Sequence, residues 1–226
     1  QEAVQYAVAH KVRGFYAEVY PNWGLDGPKL YVMSRIVWNP NVNVDKLTDE
    51  WNERMFREAA TPMKRYFKLA EDAWRNQKGH GAWAYRLAAD PAQFAIFTPQ
   101  IMAEMTACLE QAKGLAASDL VKQRIEFFRK TWELTRVLGT NYWAGAQVQE
   151  LIEKHAPMEQ IAQAMRDMAD HVSTVDPDQY MRELTKQDPI AYFPPLNGWF
   201  EPLKGGAETN ATRYFAATVA NDAVAI

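Results

Sequence analysis

The sequence predicts a mainly α protein, a multi-helix array or bundle preceded by a short α/β piece. Three observations predict it. Apolar residues recur at threes and fours through most of the chain, Thr-Pro and Asp-Pro pairs punctuate those runs, and one segment alone, Val12 to Val19 (VRGFYAEV), has the branched and aromatic density of a strand. The implied division is a terminal α/β piece over 1–40, a helical domain over 41–187 and an irregular Pro/Gly-rich segment over 188–226.

In chain order, Ala3, Tyr6, Ala7 and His10 have the spacing of a helix face, and the strand candidate follows until Pro21-Asn22 stops it. Pro21-Asn22-Trp23-Gly24 and Asp26-Gly27-Pro28 are turn-dense. From Lys29 to Trp38, Leu30, Met33, Ile36 and Val37 predict a helix. Helix, strand, loop, helix is the local grammar of an α/β unit. Downstream the stripes are helical: Leu47, Trp51 and Met55; Met63, Phe67, Ala70 and Trp74; Val121, Ile125, Phe128 and Trp132; and Met158, Ile161, Met165, Met168 and Val172. Thr61-Pro62, Asp90-Pro91, Thr98-Pro99 and Asp176-Pro177 are expected to start helices. The side-chain oxygen takes a free backbone N–H, and Pro fills the first helical position, where no N–H is missed. Gly79-His80-Gly81 and Gly139-Thr140-Asn141 are expected breaks, the second at least a kink. After Gln187, Pro and Gly pairs mark irregular chain carrying Phe193, Trp199 and Phe200, and weak apolar alternation from Arg213 to Ile226 fits a strand or the entry to a further module.

Composition excludes several function classes. With 48% hydrophobic, 12% aromatic and 23% charged residues, the 226-residue chain can bury a core and is not a disordered one. Its 25 Lys and Arg against 28 Asp and Glu give a net charge of -3, which lacks the basic excess of a nucleic-acid binder. Apolar stretches such as Phe94 to Phe97 are far shorter than the roughly 18 residues a membrane span needs. The chain opens at Gln1 inside a helical run, so it is expected to be a processed or excerpted piece of a longer protein. Its one cysteine, Cys108, shares a stripe with Ile101, Met105, Ala112 and Leu115, which is core spacing.

Metal chemistry finds little support. His10, His80, His155 and His171 are scattered, none in an HxxxH, HExxH or CxxC arrangement, so no metal is expected. No GxGxxG, GKS/T or GxSxG occurs, and no cofactor is expected. What remains is Glu18, at the far end of the strand candidate and ahead of a loop holding Tyr20, Asn22, Trp23 and Asp26. Strand alternation puts Tyr16 on the same face as Glu18. A carboxylate ringed by Tyr16, Tyr20 and Trp23 has the composition of a sugar site, where C–H faces stack on rings and hydroxyls bond to carboxylates. An equally weighted alternative is a buried Glu18 held by Arg13 or Arg35, with the rings as ordinary core. Glycoside hydrolysis normally uses two carboxylates, and Asp26 is a weak second, so no catalytic pair is assigned.

The run from Gly14 to Pro40 (GFYAEVYPNWGLDGPKLYVMSRIVWNP) resembles a bacterial family of unknown function, domain-of-unknown-function family 4838, whose members look like α-glucuronidases and β-hexosaminidase-like glycoside hydrolases. The resemblance continues through Val44-Asp45-Lys46-Leu47, leading into a helix, and through Arg57-Glu58-Ala59-Ala60-Thr61-Pro62-Met63-Lys64-Arg65-Tyr66. It covers Gln5 to Trp74, about a third of the chain, and is most specific at Trp38-Asn39-Pro40. It implies that 1–40 is the last strand–helix unit of a (β/α)8 barrel, that the rest is the helical domain behind it, and that the parent protein is a secreted or periplasmic one acting on polysaccharide. Carbohydrate is then the expected partner, reached through the parent barrel, with Glu18, Tyr16, Tyr20, Trp23 and Asp26 as substrate contacts. One departure is Glu58, where a Gly is common before the Ala pair.

Two functions follow. Either the chain forms one wall of a sugar cleft and buttresses a barrel, or it is a non-catalytic α-helical interaction or carbohydrate-binding module, its Trp residues serving as interface anchors. Taken alone, the strand leaves both edges unpaired and is expected to lack its ladder.

Overall fold

A computed structural model describes residues 1–16, 24, 27–78 and 91–173. It is mainly helical, as expected. The helices are α1 (Glu2–Ala9), α2 (Lys29–Trp38), α3 (Val44–Phe56), α4 (Ala60–Arg75), α5 (Pro99–Leu115), α6 (Asp119–Glu153) and α7 (Met158–Ser173), with short 3-10 turns at Arg57–Ala59 and Pro91–Ile96. The described chain divides into two compact units. Within the described residues, one comprises Gln1–Arg75 and Ile101–Glu133, and the other takes in residues 76–78, 91–100 and 134–173.

No strand occurs among the described residues. The Val12–Val19 candidate is described only over 12–16, which is irregular and exposed, and 17–19 lie outside the described residues. The physical reason is that a strand exists only as half of a ladder, and branched residues alone do not supply the other half.

The first unit is built on one face of α6. Val121, Ile125, Phe128 and Trp132 are buried there, as their 4-3-4 spacing predicts. Phe128 meets Trp51, Phe56 and Phe67 edge-on, with ring centroids 5.3–6.0 Å apart. Tyr66 of α4 meets Trp132 at 5.9 Å and 88°. From α5, Met102, Met105, Cys108, Leu109 and Ala112 complete the core, and Thr106 accepts a 3.0 Å hydrogen bond from the Trp132 indole. Burial of these rings and aliphatic chains is the main stabilising term.

Helix ends are closed by identifiable side chains. Asn43 caps α3 by accepting from the Lys46 N–H at 2.8 Å, so Val44-Asp45-Lys46-Leu47 is the first turn of that helix. At its other end the Arg124 guanidinium donates to the Arg54 and Met55 carbonyls at 3.2 and 3.0 Å. Arg57 then takes φ 48° and ψ −115°, a conformation that favours glycine, and the 3-10 turn hands the chain directly to α4. The backbone position that suits a glycine is therefore Arg57, one residue ahead of Glu58.

The expected punctuation holds in part. Pro99 is the first residue of α5, and Pro91 opens the 3-10 turn. Thr61-Pro62 does not start α4, which begins at Ala60; Pro62 sits in the first turn, where its missing N–H still breaks no helical bond. Gly139-Thr140-Asn141 does not break α6. There the Thr140 hydroxyl donates to the Arg136 carbonyl at 2.8 Å, staying within the helix. Gly79-His80-Gly81, Asp90, Asp176-Pro177 and the segment 188–226 lie outside the described residues.

In the second unit Leu134, Val137, Leu138 and Val148 of α6 and Ile161 of α7 are buried. The Trp143 indole donates to the Phe97 carbonyl at 2.7 Å. His155 closes α6 with φ 50°; its N–H reaches Ile152 O while the Ala156 N–H reaches Leu151 O, the paired bonds of a Schellman turn.

Candidate functional site

Of the five residues expected to touch sugar, Tyr16 is described and Glu18, Tyr20, Trp23 and Asp26 lie outside the described residues. Tyr16 is 84% exposed. It follows Val12 and Phe15, which are exposed too, so the aromatic run enters the acidic segment with its rings in solvent.

What the structure fixes after that segment is the placement of two glycines, Gly24 and Gly27. Gly24 is buried against α6. A Cβ at Gly24 would fall within 2.7 Å of Thr131 Oγ1 and closer still to Thr131 Cγ2, so only glycine fits. Thr131 is itself buried, and its hydroxyl lies 2.9 Å from the Phe128 carbonyl and 3.2 Å from the Gly24 carbonyl. Gly27 has φ +54°, and a Cβ there would fall 2.6 Å from the Phe67 ring. The two glycines, three residues apart, thus lie against α6 and α4.

Arg35, one of the two candidate partners for Glu18, sits with its guanidinium carbon 5.2 Å from the Tyr31 ring centroid and donates to the Tyr31 hydroxyl at 3.4 Å. That hydrogen bond, together with the Tyr31 oxygen and the Glu50 charge, holds its pKa above the ordinary guanidinium value.

On the α1 and α2 side, the Gln1 side-chain amide donates to the Pro40 and Val42 carbonyls at 2.9 and 2.8 Å, and Gln5 donates to Pro40 O at 3.0 Å. Trp38 ends α2 with 91% of its surface in solvent, and Val37 beside it is exposed. Together with Tyr6 and Val8 of α1, these side chains leave a substantial share of large apolar surface uncovered.

Residues 1–68 match the model of a family described as a domain of unknown function (DUF4838). No curated protein and no solved structure matches the chain. The matched stretch takes in α1 to α3 and runs into α4, ending at Lys68. It includes Gly24 and Gly27, while Thr131, against which Gly24 lies, is beyond it.

The structure also accounts for Glu58. Its carboxylate accepts a 2.6 Å hydrogen bond from the Ala117 N–H, at the junction between α5 and α6. That bond is the chief reason its pKa lies below the ordinary carboxylate value, with its own backbone N–H, Ser118 and Arg57 adding to it. Glu58 is therefore a junction clamp. Cys108 is buried as its stripe predicts, and burial raises its thiol pKa. No cluster of three metal-ligating side chains occurs among the described residues, and no described helix is long and apolar enough to cross a membrane.

Thr131 and Gly24 were not singled out by the sequence. A threonine between Phe128 and Trp132 carries no periodic signal of its own, and Gly24 reads as turn punctuation. Their pairing spans 107 residues, which no local pattern reports.

Proposed function

We propose that this chain is the helical region of a secreted glycoside-hydrolase-like protein acting on polysaccharide. In this reading it buttresses a (β/α)8 barrel and lends one wall of the sugar cleft, with Glu18, Tyr16, Tyr20, Trp23 and Asp26 as substrate contacts. Glu18 acts as hydrogen-bond or electrostatic partner to sugar hydroxyls or to an oxocarbenium-like transition state. The supporting observation is an exposed ring in the same stretch of chain as two glycines held against helices. Gly24 lies against Thr131 of α6 and Gly27 against Phe67 of α4, and Tyr16, the described ring among the five residues, is open to solvent. Hydrolysis of aryl glycosides by the full-length parent and by its Glu18→Gln variant tests this: a large loss of kcat/KM is expected, and an unchanged value removes Glu18 from the mechanism.

A second reading, an α-helical interaction module, is favoured by the exposed Tyr6, Val37 and Trp38. Titration of oligosaccharides against Trp fluorescence separates the two. A stacking site responds with a saturable change, and an interface built for protein does not.

A further inference from the structure

We infer that the family-matched stretch, residues 1–68, presents an acceptor face for a pair of helices, which α5 and residues 119–133 of α6 fill in this chain. The stretch is one half of a folding unit that the sequence completes only at 101–133, after residues 76–78 and 91–100, which belong to the other unit. Within the stretch, α1 and α2 offer little to pack on: α1 has no buried residue and α2 has one, Ile36. Its fully sealed apolar side chains, Phe56, Ala59 and Met63, lie at the end of α3, in the 3-10 turn and on α4. What covers the rings beside them lies beyond residue 68. Phe128 of α6 stands 5.3–6.0 Å from Trp51, Phe56 and Phe67, and Trp132, one turn further along, meets Tyr66 edge-on at 5.9 Å. A domain of about 60 residues buries only about 60% of the surface of its unfolded chain. This one leaves the covering of its rings to helices outside it.

Polar contacts set how the pair mates with the face. Arg65 of α4 forms a 2.6 Å ion pair with Glu104 of α5. The Glu58 carboxylate takes the Ala117 N–H in the turn between α5 and α6, and the Arg124 guanidinium of α6 donates to the Arg54 and Met55 carbonyls at the end of α3. Each of the three joins the matched stretch to one helix of the pair or to the turn between them. Exposed ion pairs add little stability. Their part is to fix register and orientation, while burial of the rings supplies the attraction. None of these contacts needs the two halves to be covalently continuous.

A protease recognition site inserted into the full chain after Gly81, between the two halves, tests this without reference to any saccharide. Once the chain is cut there, every contact named above has to hold between two separate pieces. The cut protein is expected to elute from gel filtration at the volume of the uncut chain, and hydrogen exchange across α3 and α4 is expected to stay within about twofold of the uncut rate. In the cut protein Phe128→Ala is expected to speed exchange across those two helices by about tenfold or more, and Phe128→Leu, which refills much of the volume, by much less. Pieces that part while α3 and α4 lose protection uphold the inference, because the matched stretch then unfolds without its cover. Pieces that part while α3 and α4 stay protected in the first overturn it, since the stretch then folds by itself. Protection of α3 and α4 that Phe128→Ala leaves unchanged overturns it as well.

Discussion

Glu58 and Ala117, 59 residues apart, are joined by a 2.6 Å hydrogen bond from the Ala117 backbone N–H to the Glu58 carboxylate. The bond ties the 3-10 turn between α3 and α4 to the chain that enters α6, and it favours the charged form of the acid. The folded pKa lies below the unfolded one, so the stabilisation is present above the unfolded value, near 4.5, and disappears as the pH falls through the folded value. Glu58→Gln is expected to lower Tm at pH 7, with the gap to the wild type closing as both are acidified below about pH 4. Thermal melts across that range check it; a gap independent of pH would mean the charge is irrelevant.

Arg57 sits one residue away in a backbone conformation that suits glycine. Holding a side chain there costs on the order of 1–3 kcal/mol, so Arg57→Gly is expected to raise unfolding stability by about 1 kcal/mol after the added flexibility of the unfolded chain is set against it. Urea denaturation measures this, and a decrease would show that the Arg57 side chain makes contacts outweighing the strain.

Phe56 has no solvent exposure and touches Trp51 and Phe128 edge-on at 5.5 and 5.6 Å. Phe56→Ala removes that packing and leaves a cavity at the centre of the cluster, with an expected loss of about 3–5 kcal/mol by chemical denaturation. Phe56→Leu, which refills much of the volume, should lose less than half as much.

Trp38 makes the opposite case. With 91% of its surface in water it contributes little to the fold of this chain, and Trp38→Ala should change stability by no more than about 0.5 kcal/mol. If, as proposed, this face buttresses a barrel within a longer protein, the same substitution there should lower Tm markedly. Equal, small effects in both proteins would remove Trp38 from any interface.

Much of this architecture was legible in the residues because it is local. Val121, Ile125, Phe128 and Trp132 repeat with the period of a helix and are all buried; Cys108 lies on its stripe and is buried with it. Thr98-Pro99 marked the start of α5 correctly, since capping is decided within one turn. Where the reading missed, a non-local or compensated effect decided. The start of α4 moved to Ala60 because a 3-10 turn feeds it from behind. Gly139 did not break α6 because one glycine costs only about 1 kcal/mol, less than the packing of Val137, Leu138 and Val148 along the same helix supplies. The candidate site was legible as composition only. Strand-like residues at 12–16 reveal a preference but not a pairing, and the contact of Gly24 with Thr131 joins positions with no shared pattern.

One consequence concerns α1. No residue of that helix is buried, and its ties to the turn at Pro40 to Val42 are amide donations from Gln1 and Gln5 in full contact with water. Such bonds hold weakly against solvent competition, so this helix should be the first to fray. Brief digestion with chymotrypsin would accordingly be expected to cut after Tyr6 long before it reaches Phe56 or Tyr66, releasing the leading turns while the aromatic centre survives as a resistant fragment.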